Sequence, residues 1–195
     1  MTIQTRRERE RAERERLIVT AARELAEAEG WDAVTTRRLA AEIEYSQPVL
    51  YSHFKGKDAI MAAVAVQGCA ELAVGLRAAR TAAEGARAAL TAVGEAYTAF
   101  ARQRPALYDA IFTHRVDLPF ATPQAPAALH EAFGELLAAV EPIAAEGDDP
   151  GLLTETYWAA LHGLVTLTRS GRLPKDAHER RLALLTGHFV PHGTS

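Results

Sequence analysis

A chain of 195 residues with a formal net charge of -3 can bury a substantial core, and it is not basic enough overall to act as a nucleic-acid coat. Apolar residues make up 48% and charged residues 24%, alanine is abundant, and runs of β-branched residues are few, which favours a packed all-α protein. The single cysteine, Cys69, excludes an internal disulfide. With no signal-peptide h-region and no run of about eighteen apolar residues, the expectation is a soluble, cytoplasmic protein.

Residues 6 to 16 hold six Arg and four Glu, the pattern of a solvated helix or arm with side-chain ion pairs. From Leu17 the spacing Leu17, Ile18, Ala21, Ala22, Leu25, Ala28 predicts a core helix that closes at Gly30, the residue type favoured just past a helix end. Trp31 and Val34 can staple the loop that follows. TTRRLAAEI then offers Thr35 or Thr36 as a cap and Leu39, Ala40 and Ile43 as a buried side, giving a helix of about two turns. EYS interrupts it, Pro48 suits the first turn of another helix, and Val49, Leu50 and Phe54 continue the buried side. Two short helices joined by a tight turn behind a longer one make a three-helix helix-turn-helix unit. Most side chains exposed around SQPVLYSHFKGK donate hydrogen bonds, which suits a helix with one face on a small core and the other on phosphate.

Beyond Lys57 the stripe Ile60, Val64, Gly68, Leu72, Leu76 predicts a helix of roughly twenty residues, about 30 Å long, able to carry a signal between domains. Glu84 to Gln103 repeats Leu90, Val93, Tyr97, Phe100 at helical spacing. Pro105 breaks it, and a short helix with Leu107, Tyr108, Ile111 and Phe112 follows. VDLPFATPQAP reads as a loop. Ala127 to Ala145 resumes a helix that Pro142 kinks or ends, and EGDDPG is a break. Two last helices, Leu152 to Ser170 and Pro174 to Phe189, carry more apolar residues than one core-facing stripe needs. The surplus, Leu161, Leu164, Val165, Leu182, Leu185 and Phe189, points to a two-fold dimer closed by a four-helix bundle.

The stretch TTRRLAAEIEYSQPVLYSHFKGKDAI, Thr35 to Ile60, resembles the DNA-binding helix-turn-helix of the TetR family of transcriptional regulators. The features carrying the resemblance are a Thr-capped second helix, the LYxHF-like run of Leu50, Tyr51, His53 and Phe54, and Lys57 opening the fourth helix. Later, WAALHG resembles the Trp-x-x-x-His-Gly signature of one subclass, through Trp158, His162 and Gly163. One departure is Glu44, where the turn of such motifs usually has Gly; a left-handed residue there costs about 1 kcal/mol or more.

The resemblance implies a helix-turn-helix domain over residues 1–56 and a larger helical ligand-binding and dimerisation domain over 57–195. A recognition helix enters the major groove by its N-terminal end, which places Gln47, Pro48 and Val49 at base edges. By carry-over from the family, Arg37 resembles a guanine reader, and Thr36, Tyr51, His53 and Lys57 resemble phosphate binders. The implied partners are a palindromic operator, a second copy of the chain, and a small apolar or amphipathic effector that releases a repressor from DNA. Candidates to line the effector's pocket are Tyr97, Phe100, Tyr108, Phe112, Phe133 and Trp158, with His130 and His162 as polar groups; each aromatic could equally be core. An enzyme would use His114, Asp117, His130, Glu131 or His162, but the chain has no HExxH, GxSxG or Gly-rich phosphate loop, and no metal or cofactor is expected. A helical adaptor leaves the donors of SQPVLYSHF unexplained.

Overall fold

A computed structural model describes residues 3–120 and 122–190, with side chains from Arg6 onward. The first two residues of the N-terminal segment, Ala121 of the proline-rich loop and residues 191–195 lie outside the described residues. The described residues are helical with no strand. In chain order the helices are α1 (Ile3–Glu29), α2 (Thr36–Glu42), α3 (Gln47–His53), α4 (Lys57–Ala82), α5 (Ala86–Gln103), α6 (Pro105–Phe112), α7 (Ala127–Val140), α8 (Pro150–Arg169) and α9 (His178–Phe189).

Local chemistry sets most of these limits. Thr35 accepts from the amide of Arg38 and opens α2. Asp149 accepts from the amides of Gly151 and Leu152, so α8 starts at Pro150, two residues before the position expected from apolar spacing. Pro142, with no amide hydrogen, ends α7 at Val140 and leaves a 3-10 turn over Glu141–Ile143. The last helix begins later than its spacing suggests, because Pro174 is extended and Lys175–Ala177 form a 3-10 turn. At 26 residues α4 is longer than its stripe predicted. It has the length and apolarity of a membrane span, yet half of its most apolar stretch is buried within the protein.

The chain forms two compact units. One comprises the chain through Gly68 with Arg104–Pro126, and so holds α1, α2, α3, the first turns of α4, and α6. Its core is Ile18, Ala22, Leu25, Val34, Leu39, Leu50 and Ile60, with Leu107 from α6. Three hydrogen bonds seat α6 against the end of α1. The Glu27 carboxylate accepts from the amides of Ala106 (3.1 Å) and Leu107 (3.0 Å), and the Trp31 indole donates to the Ala106 carbonyl at 2.8 Å. Glu27 thereby satisfies two of the amides that a helix start leaves without partners.

The second unit holds Cys69–Gln103 and the chain from Ala127 onward. Tyr157 lies at its centre, fully buried, and its hydroxyl donates to the Leu90 carbonyl at 2.9 Å. Burial pushes this phenol up to about 12, so it stays a donor at neutral pH. Gly94 makes room for that hydroxyl, since a Cβ at this position would collide with it. Glu135 on α7 is buried and accepts from Arg77 Nε at 2.6 Å and from Arg80 Nη2 at 2.7 Å, which ties α7 to the later turns of α4.

Candidate nucleic-acid interface

The candidate surface is built on α2 and α3 and on the turn between them. Leu39, Ala40 and Leu50 bury one side of the pair, which leaves Arg37, Gln47, Pro48, Val49 and Tyr51 exposed on the other. Tyr51 is 51% exposed and Val49 38%, an arrangement that folding alone does not require. The Thr36 hydroxyl lies 3.3 Å from the Tyr51 hydroxyl, so one hydrogen bond joins the start of α2 to the middle of α3 and leaves each oxygen further bonding capacity.

Glu44 takes up the conformation its position demands. Its φ is 56°, the one positive value outside glycine among the described residues. The amide of Tyr45 reaches the Ala40 carbonyl at 2.8 Å and that of Glu44 reaches Ala41 at 3.3 Å, the two closing bonds of a Schellman cap. The turn therefore keeps a left-handed geometry without glycine, at a cost of about 1–2 kcal/mol, and Gln47 opens α3 after it.

The two arginines of TTRR separate in role. Arg38 grips Glu29 at the end of α1 with both forks, Nη1 to Oε2 at 2.7 Å and Nη2 to Oε1. The hydrogen bond to Arg38 lowers the Glu29 carboxyl below its ordinary range. Arg37 is exposed and makes no ion pair among the described residues. Lys57, the first residue of α4, is half-buried and donates to the Trp31 carbonyl, which occupies one of its three hydrogens. The His53 side chain is only 6% exposed and lies 3.4 Å from Glu15 of α1. It thus faces the supporting helix, whereas Tyr51 and Thr36 face outward.

Two family profiles match the chain. The one described as "Bacterial regulatory proteins, tetR family" covers residues 18–64, and "Tetracyclin repressor-like, C-terminal domain" covers residues 90–188. The chain belongs to the TetR family. It is 29% identical over 154 residues to the uncharacterized HTH-type transcriptional regulator Rv0681 of Mycobacterium tuberculosis, covering 79% of this chain and 69% of that protein. It is 44% identical over 50 residues to the class D tetracycline repressor protein of Escherichia coli, covering 26% of this chain and 23% of the repressor. Among solved structures, a protein of unknown function from Rhodococcus sp. RHA1 superposes with a TM-score of 0.75 at 25% identity, covering 90% of this chain and 92% of that one. As a TetR-family member the chain is a DNA-binding transcriptional regulator, with the N-terminal profile lying over α2, α3 and the residues described above.

The other residues singled out from the sequence lie in both units of this TetR-family fold. In the second unit Trp158 Nε1 donates to the Tyr97 hydroxyl at 3.0 Å, with Tyr97 fully buried and Phe100, Phe133 and Trp158 half-buried. His162 is half-buried, which lowers its imidazole below the ordinary range, and His130 is exposed. In the first unit the rings of Tyr108 and Phe112 pack tilted at 59° with centres 4.9 Å apart. None of these residues lines the second unit's cleft of about 260 Å³ among Ile143, Asp148, Leu153, His188 and Phe189. Of the residues expected between protomers, Leu161, Val165 and Leu182 are buried in the chain's own core, and Leu164, Leu185 and Phe189 are half-buried. The strongly exposed leucines of α8 and α9 are Leu152, Leu167 and Leu184. Sequence spacing could not rank these, because both helices are apolar on more than one side.

Proposed function

We propose that the chain is a repressor that binds a pseudo-palindromic operator as a two-fold dimer and is released by a small apolar or amphipathic effector in the cytoplasm. The observation that carries this reading is the exposed face of α2 and α3. In this reading Arg37 and Gln47 meet base edges, Pro48 and Val49 meet thymine methyls, and Thr36, Tyr51 and Lys57 meet phosphates, supported by the exposure of Arg37, Gln47, Pro48, Val49 and Tyr51. His53 joins them through its grip on Glu15, which sets the end of α3 against α1.

Dimerisation is supported by the outward sides of α8 and α9. On α8, Leu152, Ala159, Gly163 and Leu167 share one side, and on α9 Ala183, Leu184 and Gly187 share another. Small residues between exposed leucines suit close helix packing, and a Cβ at Gly163 would meet nothing within 4 Å in the free chain. The effector reading rests on the aromatic set around Tyr97 and Trp158, where a ligand able to break their hydrogen bond competes for a half-buried donor and a buried acceptor.

Selection of bound sequences from random duplex DNA tests the reading. It should return inverted repeats, and light scattering should give a dimer at micromolar concentration. Recovery of single half-sites by a monomer refutes the dimeric repressor.

A further inference from the structure

The buried side of α1 has an extension that the helix-turn-helix does not use. Its core ridge runs through Ile18, Ala21, Ala22 and Leu25. Followed toward the N-terminus at the same spacing of three and four residues, the ridge passes Arg14, Arg11 and Arg7, all exposed. The side of the helix that packs on the core thus continues beyond the buried residues as a row of arginines. From Ile3 to Arg16 this overhang is about 20 Å long, and none of its described side chains is buried.

Two ion pairs, each spanning one turn, support the overhang's helix, Arg6 to Glu10 at 2.8 Å on the flank and Arg11, on the ridge itself, to Glu15 at 2.9 Å. They leave the ridge underneutralised. Arg7 has Arg11 four residues on, a like charge, and Glu10, four before Arg14, is held by Arg6. Neither Arg7 nor Arg14 makes a hydrogen-bonded ion pair among the described residues. Glu15 also meets His53, the last residue of α3, so the ridge starts beside the end of the recognition helix.

We propose that this ridge is a second DNA contact, in which Arg7 and Arg14 reach phosphates of the duplex flanking each half-site while α3 occupies the major groove. The inference rests on the DNA-binding reading of α3. A helix whose charges served only its own solubility would alternate sign along this ridge; here the ridge is positive and continuous with the DNA-binding unit. A flanking phosphate gives Arg7 and Arg14 the counter-charge that Glu15 already gives Arg11, and the contact adds affinity without sequence information.

The test uses the full chain and two duplexes carrying its selected operator, one trimmed flush and one extended by a helical turn at each end. Wild type should prefer the extended duplex, with a log–log salt slope steeper by about two per bound protomer and an advantage that shrinks about ten-fold per protomer, about a hundred-fold for the dimer, between roughly 50 and 200 mM salt. Arg7→Ala with Arg14→Ala should abolish both differences while keeping the wild-type ranking of mutated operators. Arg7→Lys with Arg14→Lys should restore them, since a phosphate accepts either cation. The inference is overturned if wild type binds both duplexes alike, or if the alanine pair keeps the preference and the slope. If wild type fails to distinguish operator from scrambled DNA, the reading of α3 itself is wrong and this one falls with it.

Discussion

Arg38 and Glu29 form a two-pronged ion pair between α2 and the end of α1, whereas Arg37 beside it is exposed and makes no ion pair among the described residues. Arg37→Ala should weaken operator binding by about 1–3 kcal/mol and relax preference at one base pair. Arg38→Ala should leave the ranking of operator variants unchanged. Competition binding against a panel of singly mutated operators checks both, and a change of preference in the Arg38 variant alone would reverse the assignment.

Glu44 holds a left-handed turn that glycine would adopt without strain. Glu44→Gly should therefore raise stability by about 1 kcal/mol or less, because relief of backbone strain is partly offset by the greater freedom of glycine in the unfolded chain. Chemical denaturation midpoints measure this. A destabilised variant with unchanged denaturant dependence would mean that the Glu44 side chain contributes more than its backbone costs.

Gly94 leaves space for the Tyr157 hydroxyl that donates to Leu90. Gly94→Ala should displace that hydroxyl and cost about 1–3 kcal/mol, while Tyr157→Phe in the same background should cost little further, since the bond is already lost. Thermal unfolding of the two single variants and the double variant gives the coupling, and strict additivity would deny the contact.

Burial raises the Glu135 carboxyl, but hydrogen bonds from Arg77 and Arg80 more than offset this, and its pKa in the folded chain lies below the ordinary 4.5. Its contribution to stability is thus fully present above about pH 4.5 and is lost as pH falls through the folded-state value. The stability gap between wild type and Glu135→Gln should be constant at neutral pH and close only in acid. A gap that widens as the solution is acidified contradicts the assignment.

Much of this was legible in the sequence because local chemistry decides it. Gly30, Thr35, Pro48, Pro105 and Pro142 each fix a helix limit through φ, a cap or a missing amide, and the Thr35–Ile60 pattern points to the family whose N-terminal profile covers residues 18–64. Partners distant in sequence were not legible. Nothing in the local pattern says that Glu27 caps α6 about eighty residues later, or that Glu135 is gripped by Arg77 and Arg80. The expected roles of Leu161, Val165 and Leu182 show the same limit. On helices apolar on more than one side, periodicity cannot say which apolar residue faces the chain's own core, and these three do.

The central claim is that the exposed start of α3 reads DNA, and its most direct measurement is the affinity of wild type and Gln47→Ala for the selected operator and for operators changed one base pair at a time. Because a Gln amide pairs best with adenine N6 and N7, wild type should lose about 1–3 kcal/mol when one adenine of the operator is changed, and Gln47→Ala should bind the original and that changed operator equally. Equal sensitivity to that base pair in both proteins would contradict the account.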